Sequence, residues 1–267
     1  KIINAKKKFF GTDGIRGKFG TVLTTDLAFQ LGYWCGFELN KEGPIIIGQD
    51  SRNSGNIISE ALTQGLIKAG REVWMIGLSP TPAIPHLIKT LKASGGLMVT
   101  ASHNPPEDNG IKIFNSLGGK ISAEKQLLIE SKLRTQSVNQ SLITHNNHYG
   151  RSYKRDELLK SYKEKLLASV KGKQLNGISI VLDLCWGSST ICASKAFEAL
   201  GANLTIINGK PDGNLINVNC GSTYLEPLRE TVLKEQASMG FAFDGDADRM
   251  LAIDGEGRVI DGDHVLY

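Results

Sequence analysis

The sequence predicts an α/β protein: two consecutive α/β domains, each with a mainly parallel mixed sheet sandwiched by helices. Three observations carry that expectation. Short isoleucine-rich runs without polar alternation fit strands covered on both faces. They alternate with helix-period segments, the rhythm of a parallel sheet with crossover helices. A polar stretch interrupts this rhythm once, after which it restarts.

In chain order, 44–50 (PIIIGQD) reads as a strand. A helix follows over 56–69, with Ile57, Ile58, Ala61, Leu62, Leu66 and Ala69 on one face and Gly70 as its stop. Next come a strand at 72–76, a helix at 83–91, and a strand at 96–101. The polar stretch 135–149 (TQSVNQSLITHNNHY) is the expected linker. Beyond it, 154–170 is amphipathic through Leu158, Leu159, Tyr162, Leu166 and Leu167. The second unit then runs strand 178–184, helix 189–200, strand 203–207, helix 226–236, strand 239–243 and a hairpin over 250–260 turning through DGEG.

Composition narrows the function. The chain has 267 residues, 40% hydrophobic and 22% charged, which is the make-up of a globular protein. A net charge of +4 suits a small anionic substrate and gives no basic face for nucleic acid. Cys35, Cys185, Cys192 and Cys220 form no CxxC pair, which favours buried reduced thiols. The opening KIINAKKKFFGTDG has no signal-peptide core, and no apolar run approaches a membrane span. A cytoplasmic protein with no membrane and no nucleic-acid partner is expected.

Three segments carry chemistry. Thr100-Ala101-Ser102-His103-Asn104-Pro105 follows an apolar strand, where open α/β sheets place ligands. Ser102 there fits a nucleophile with His103 and Asn104 beside it, and the same residues fit a plain Ser/Asn/Pro turn. In Asp244-Gly245-Asp246-Ala247-Asp248-Arg249 the carboxylates stand at i, i+2 and i+4, on one side of an extended chain. Three crowded acids without Cys or His favour Mg²⁺ or a similar hard cation. An EF-hand fails on spacing, because Arg249 stands at its glycine position. A solvated acidic turn is the alternative, opposed by the apolar run 241–243 leading into it. The third segment, FGTDGIRG (10–17), matches neither a dinucleotide fingerprint nor a P-loop, yet its glycines and Arg16 suit a phosphate neighbour. Arg52 in GQDSR and Lys112 in DNGIK add cations at other turns.

FGTDGIRG, TASHNP, NGIKIF and FDGDADR, in this order, resemble the α-D-phosphohexomutases over essentially the whole chain. The resemblance implies a phosphoserine at Ser102. It implies one Mg²⁺ held by Asp244, Asp246 and Asp248 together with a Ser102 phosphate oxygen. Arg16 and Lys112 would line the transfer site and assist proton transfer. His103 joins the catalytic group, and Arg52, Arg249 and Asn104 are expected to meet substrate or phosphate. A lysine among cations can lose its proton near neutrality, so Lys112 is the expected base.

FGTDGIRG at the start, with Asn219-Cys220-Gly221-Ser222-Thr223 ahead of a helix, is closest to the branch acting on hexosamine phosphates. Cys185-Trp186-Gly187 departs from the small residues usual there. The third-domain sugar-reading loop and the fourth-domain phosphate loop are absent from the sequence. The expected layout is domain I over 1–136, a linker over 137–153, domain II over 154–256 and the first residues of domain III over 257–267. Such a chain is expected to be inactive alone, and a homodimer is admitted. A mutase on another sugar, a metal-dependent serine phosphatase and a non-catalytic phosphosugar-binding module are the alternatives.

Overall fold

The computed structural model of the protein describes residues 9–138, 149–170, 172–260 and 262. The first unit runs β1 (Ile15–Lys18), α1 (Thr25–Glu38), β2 (Ile45–Gln49), α2 (Gly55–Lys68), β3 (Val73–Leu78), α3 (Ala83–Leu91), β4 (Gly95–Val99), β5 (Asp108–Phe114), α4 (Ala123–Thr135) and β6 (Ser152–Lys154). Its six strands lie in the order β1-β5-β4-β2-β3-β6. The β2–β3, β2–β4 and β3–β6 pairs are parallel, whereas β5 is antiparallel to both β1 and β4.

Period two along the isoleucine strand builds the sandwich. Ile45 and Ile47 join a core with Leu31 of α1, Leu62 of α2 and Ile129 of α4. Ile46 points the other way, into a core with Ile84, Leu87 and Ile88 of α3. Helices α1 and α2 approach closely at Gly65, where a Cβ would stand 2.1 Å from the Phe29 carbonyl oxygen.

The second unit begins with α5 (Leu159–Ser169) and β7 (Ser179–Asp183). It continues through α6 (Ala193–Ala199), β8 (Asn203–Ile207), α7 (Glu226–Lys234), β9 (Met239–Phe243), β10 (Met250–Asp254) and β11 (Val259–Ile260). The strand order is β11-β10-β9-β7-β8, with β7 parallel to β8 and β9. Val181 packs with Leu228 and Val232 of α7 on one face. Ile180 and Leu182 pack with Ala193 and Phe197 of α6 on the other.

Several features differ from the sequence reading. Strand β1 was not read from the sequence, and the helix expected over 189–200 is a 3₁₀ turn at Ser188–Ile191 followed by α6. Helices α1 and α4 went unread, capped by Thr24, which accepts from the Leu27 N–H, and by Ser122, which accepts from the Lys125 N–H. The helix expected over 154–170 starts only at Leu159, because residues 151–155 are taken by a ladder. The Val73 N–H donates to the Arg151 carbonyl and the Arg155 N–H to the Met75 carbonyl. The Arg155 guanidinium also lies 4.3 Å from the Trp74 ring centre. Residues 139–148 of the expected linker lie outside the described residues, as do most of those where a third domain is expected to start.

Candidate active site at the seam of the two sheets

The serine turn follows β4 directly. Ser102 has φ +55°, a left-handed conformation that is uncommon outside glycine, and its residue is 1% exposed. The Ser102 N–H donates to Thr100 Oγ1 at 2.8 Å. Its hydroxyl crosses to the second unit and donates to Asp244 Oδ2 at 2.7 Å. The nucleophile candidate and the first acid are therefore in direct contact, although 142 residues separate them.

Arg52 is expected at a phosphate and is found holding the loop instead. Its Nε donates to Asp50 Oδ2 at 3.1 Å. Its Nη1 donates to the carbonyls of Pro105 and Asp108, and its Nη2 to those of Ser102 and Asn104. Every nitrogen of the guanidinium is engaged by the protein, so none faces a ligand. Asn104 is also occupied in bracing, donating through Nδ2 to Asp108 Oδ2 at 3.0 Å.

The acidic loop follows β9, as the apolar run requires. Asp244 and Asp246 are buried and Asp248 is exposed, and the three offer oxygens within 4.8 Å of one another. Burial, and then the Asp246 charge, push the Asp244 carboxyl up to about 7. Burial pushes Asp246 up as well, but the Lys112 ammonium overrides it and holds the carboxyl below its ordinary value. Asp246 Oδ1 is buried and has no hydrogen-bond partner in the structure. Three hard oxygen donors, one orphaned and one acid forced toward protonation, fit a divalent cation such as Mg²⁺.

Lys112 corrects a second expectation. It stands among carboxylates, not among cations: Nζ is 2.7 Å from Asp246 Oδ2, 2.8 Å from Asp248 Oδ2 and 3.6 Å from Asp13 Oδ2. Burial lowers its pKa, but Asp246 and Asp248 outweigh that, and the net shift is upward. In this arrangement its carboxylate neighbours favour the ammonium form.

Arg16 sits nearby on β1, donating to Asp13 Oδ2 at 2.7 Å through Nη2, while its Nε is buried without a partner. His103 keeps a buried, unpartnered Nδ1. Burial, Arg249 and Arg16 hold its ring below the ordinary imidazole range, so it is neutral at physiological pH. The Arg249 side chain lies exposed close enough to His103 to act on it.

Sequence reasoning missed three contributors. Thr81, between β3 and α3, donates its hydroxyl to Asp246 Oδ2 at 2.5 Å and its N–H to the Asp246 carbonyl at 2.8 Å. Asp50 anchors Arg52 and accepts from Thr100 Oγ1 at 2.6 Å. Asn217 contacts both loops. Only the position of Asp50 and Thr81 just after strands could have flagged them. The loops fit because Gly187 abuts the acidic loop: a Cβ there would stand 2.5 Å from the Gly245 carbonyl oxygen. Ser51 Oγ also crosses the seam, to the Trp186 carbonyl at 2.7 Å.

A serine hydroxyl fixed against a carboxylate cluster, ringed by lysine and arginine, offers the nucleophile, hard-cation ligands and positive charge that phosphoryl transfer uses. The model for phosphoglucomutase/phosphomannomutase, alpha/beta/alpha domain I, matches residues 7–140, and that for domain II matches residues 157–257. The chain belongs to the phosphoglucomutase/phosphomannomutase family. A phosphoglucosamine mutase of Prochlorococcus marinus (strain MIT 9303) is 60% identical over 97% of this chain and 55% of its own length. One of Synechococcus sp. (strain CC9311) is 57% identical over 97% of this chain and 56% of its own. The crystal structure of a phosphoglucomutase/phosphomannomutase family protein from Burkholderia thailandensis superposes with a TM-score of 0.83 at 26% identity, over 94% of this chain and 56% of that one. The chain thus spans about half the length of the curated relatives it matches.

Proposed function

We propose that the chain is the serine- and metal-bearing half of a phosphoglucosamine mutase, which interconverts glucosamine 6-phosphate and glucosamine 1-phosphate. The observation that carries this reading is the 2.7 Å contact between Ser102 Oγ and Asp244 across the seam. The 60% identity to a phosphoglucosamine mutase supports the choice of sugar. Residues 1–136 and 154–256 act as its domains I and II, joined by 137–153, a connection whose end supplies strand β6 (Ser152–Lys154) to the first sheet, and the matches at 7–140 and 157–257 support that division. Four free, buried cysteines support a cytoplasmic setting, and no helix among the described residues is long and apolar enough to cross a membrane.

In the proposed cycle Ser102 carries a phosphoryl group. A hydroxyl of the sugar phosphate attacks phosphorus, a P–O bond to the sugar forms, and the P–Oγ bond to Ser102 breaks. The bisphosphorylated sugar then turns round, Ser102 Oγ attacks its other phosphate, the P–Oγ bond forms again, and that phosphate's P–O bond to the sugar breaks to release the isomerised monophosphate. Asp244, Asp246 and Asp248 would hold Mg²⁺, which neutralises charge on the transferring group. Arg16 flanks the transfer path as a fixed cation, and Lys112 protonates or stabilises departing oxygen. His103, next to Ser102 in the chain and held neutral, is the candidate to accept the attacking hydroxyl's proton.

Phosphopeptide mapping of the full-length protein tests the reading, together with product analysis on glucosamine, glucose and mannose phosphates. An isomerised glucosamine phosphate and label on Ser102 are expected. Free phosphate as the product would make it a phosphatase, and a preference for mannose 6-phosphate would keep the family and change the sugar.

A further inference from the structure

Asn217 lies between β8 and α7, outside both loops that bear the reacting groups. Its φ is +60°, a region that asparagine tolerates better than most side-chain-bearing residues. Nδ2 donates to the carbonyl of Ser102 at 2.8 Å and to that of Asn104 at 3.1 Å. Oδ1 accepts from the Gly245 N–H and from the Cys185 thiol, each at 3.1 Å. The orientation of the carboxamide is fixed by chemistry, since a flip would set oxygen against two carbonyls and NH₂ against an N–H. One planar group thus ties the serine turn of the first unit to the acidic loop of the second. Arg52 grips the same two carbonyls from within the first unit and cannot set that register. Contact is close on every side: a Cβ on Gly245 would lie 2.7 Å from the Ser102 carbonyl oxygen and 2.9 Å from Asn217 Nδ2.

We propose that Asn217 is a positioning residue for phosphoryl transfer, a clamp that sets Ser102 against the Asp244–Asp248 loop. This role rests on the mutase reading above. The clamp acts on alignment rather than on sugar binding, so its loss falls on kcat.

The test uses full-length protein with Asn217→Gly and Asn217→Asp. Glycine suits φ +60° and removes both arms of the clamp. Aspartate keeps an acceptor for Gly245 and turns an oxygen toward the two carbonyls. Both variants should lose about 10²-fold in kcat, the scale of a misaligned reacting group, with KM within about threefold of wild type. Hydrogen exchange at the Gly245 amide should accelerate in Asn217→Gly and stay protected in Asn217→Asp, which separates the two arms. A folded Asn217→Gly with wild-type kcat overturns the proposal, as does a loss confined to KM. Should the glycine variant fail to fold, wild-type kcat in Asn217→Asp overturns it equally. A wild-type protein that isomerises no hexose phosphate overturns the mutase reading itself, a result distinct from equal turnover by wild type and variant.

Discussion

The two sheets end a central parallel strand in the same way and complete it differently. Asp50 follows β2 and Asp183 closes β7; both are buried, and burial raises both carboxyls. Each accepts from the N–H two residues on, Arg52 at 3.1 Å and Cys185 at 3.0 Å. Beyond that they part. Asp50 is completed by a guanidinium and a threonine hydroxyl. Asp183 is completed by the Asn208 carboxamide and the Gly221 N–H, both neutral. The first unit fixes its loop with an internal ion pair and offers Lys112 and Arg16 across the seam. The second fixes its loop with neutral donors and presents its charge as Asp244, Asp246 and Asp248. Each half is electrostatically incomplete, and the candidate site lies where they meet.

The largest expected effect tests whether the seam is the reacting centre at all. Ser102→Ala in the full-length protein should lower kcat by about 10³–10⁶-fold, the range for removing a covalent nucleophile. Residual turnover within tenfold of wild type would move the chemistry elsewhere. The contrast between the two aspartates predicts unequal costs in urea unfolding. Arg52→Met strands a buried Asp50 and should cost about 3–5 kcal/mol. Asp183→Asn sets an NH₂ group against the Gly221 N–H in a pocket of neutral donors and should cost about 1–3 kcal/mol. Equal costs would erase the distinction.

A third expectation concerns pH in the absence of divalent ions. Asp244 is raised to about 7 from an ordinary 3.8, so the folded protein keeps a proton that the unfolded chain releases. Stability should therefore fall as pH rises from about 4 to about 7, by on the order of 4 kcal/mol, and level off above. Asp246, held low, contributes in the opposite sense, and its contribution is lost only as pH falls below that window. Saturating Mg²⁺ should flatten the decline; melting curves at several pH values, with and without Mg²⁺, would show otherwise if the carboxylates did not share an ion. The smallest effect belongs to Thr81→Val, which removes one of the two side-chain donors to Asp246 Oδ2 and should weaken Mg²⁺ binding about tenfold by calorimetry. Unchanged affinity would make Thr81 a mere turn residue.

Much of this was legible from residues whose meaning is local. Ser102 and Asp244 stand just past strand ends, whereas a turn, closed by the Ala247 N–H donating to the Asp244 carbonyl, gathers the three acids that the sequence sets close together. Arg52 and Lys112 were misjudged because their surroundings are assembled from afar: Asp246 and Asp248 lie 134 and 136 residues from Lys112. Asp50, by contrast, sits two residues before Arg52, yet sequence alone does not show which way the guanidinium turns. Asn217 acts largely on backbone groups, which leave no mark in residue types, and the carboxylate that Thr81 meets lies 165 residues away. Helix α1 hid because Leu27, Phe29, Leu31 and Cys35 are all buried and blur any single face. In α4 the exposed Leu127 and Leu128 dilute the face made by Ile129 and Leu133.

Strand β6 has a consequence for how the halves can be separated. Ser152–Lys154 completes the first sheet, and Leu159 and Tyr162 of α5 share a core with Leu87 and Ile88 of α3. A backbone nick ahead of Tyr149 therefore leaves the last strand of one sheet covalently attached to the other unit. The two fragments are complementary pieces, each holding part of the other, and they should co-elute under native conditions and part only in denaturant.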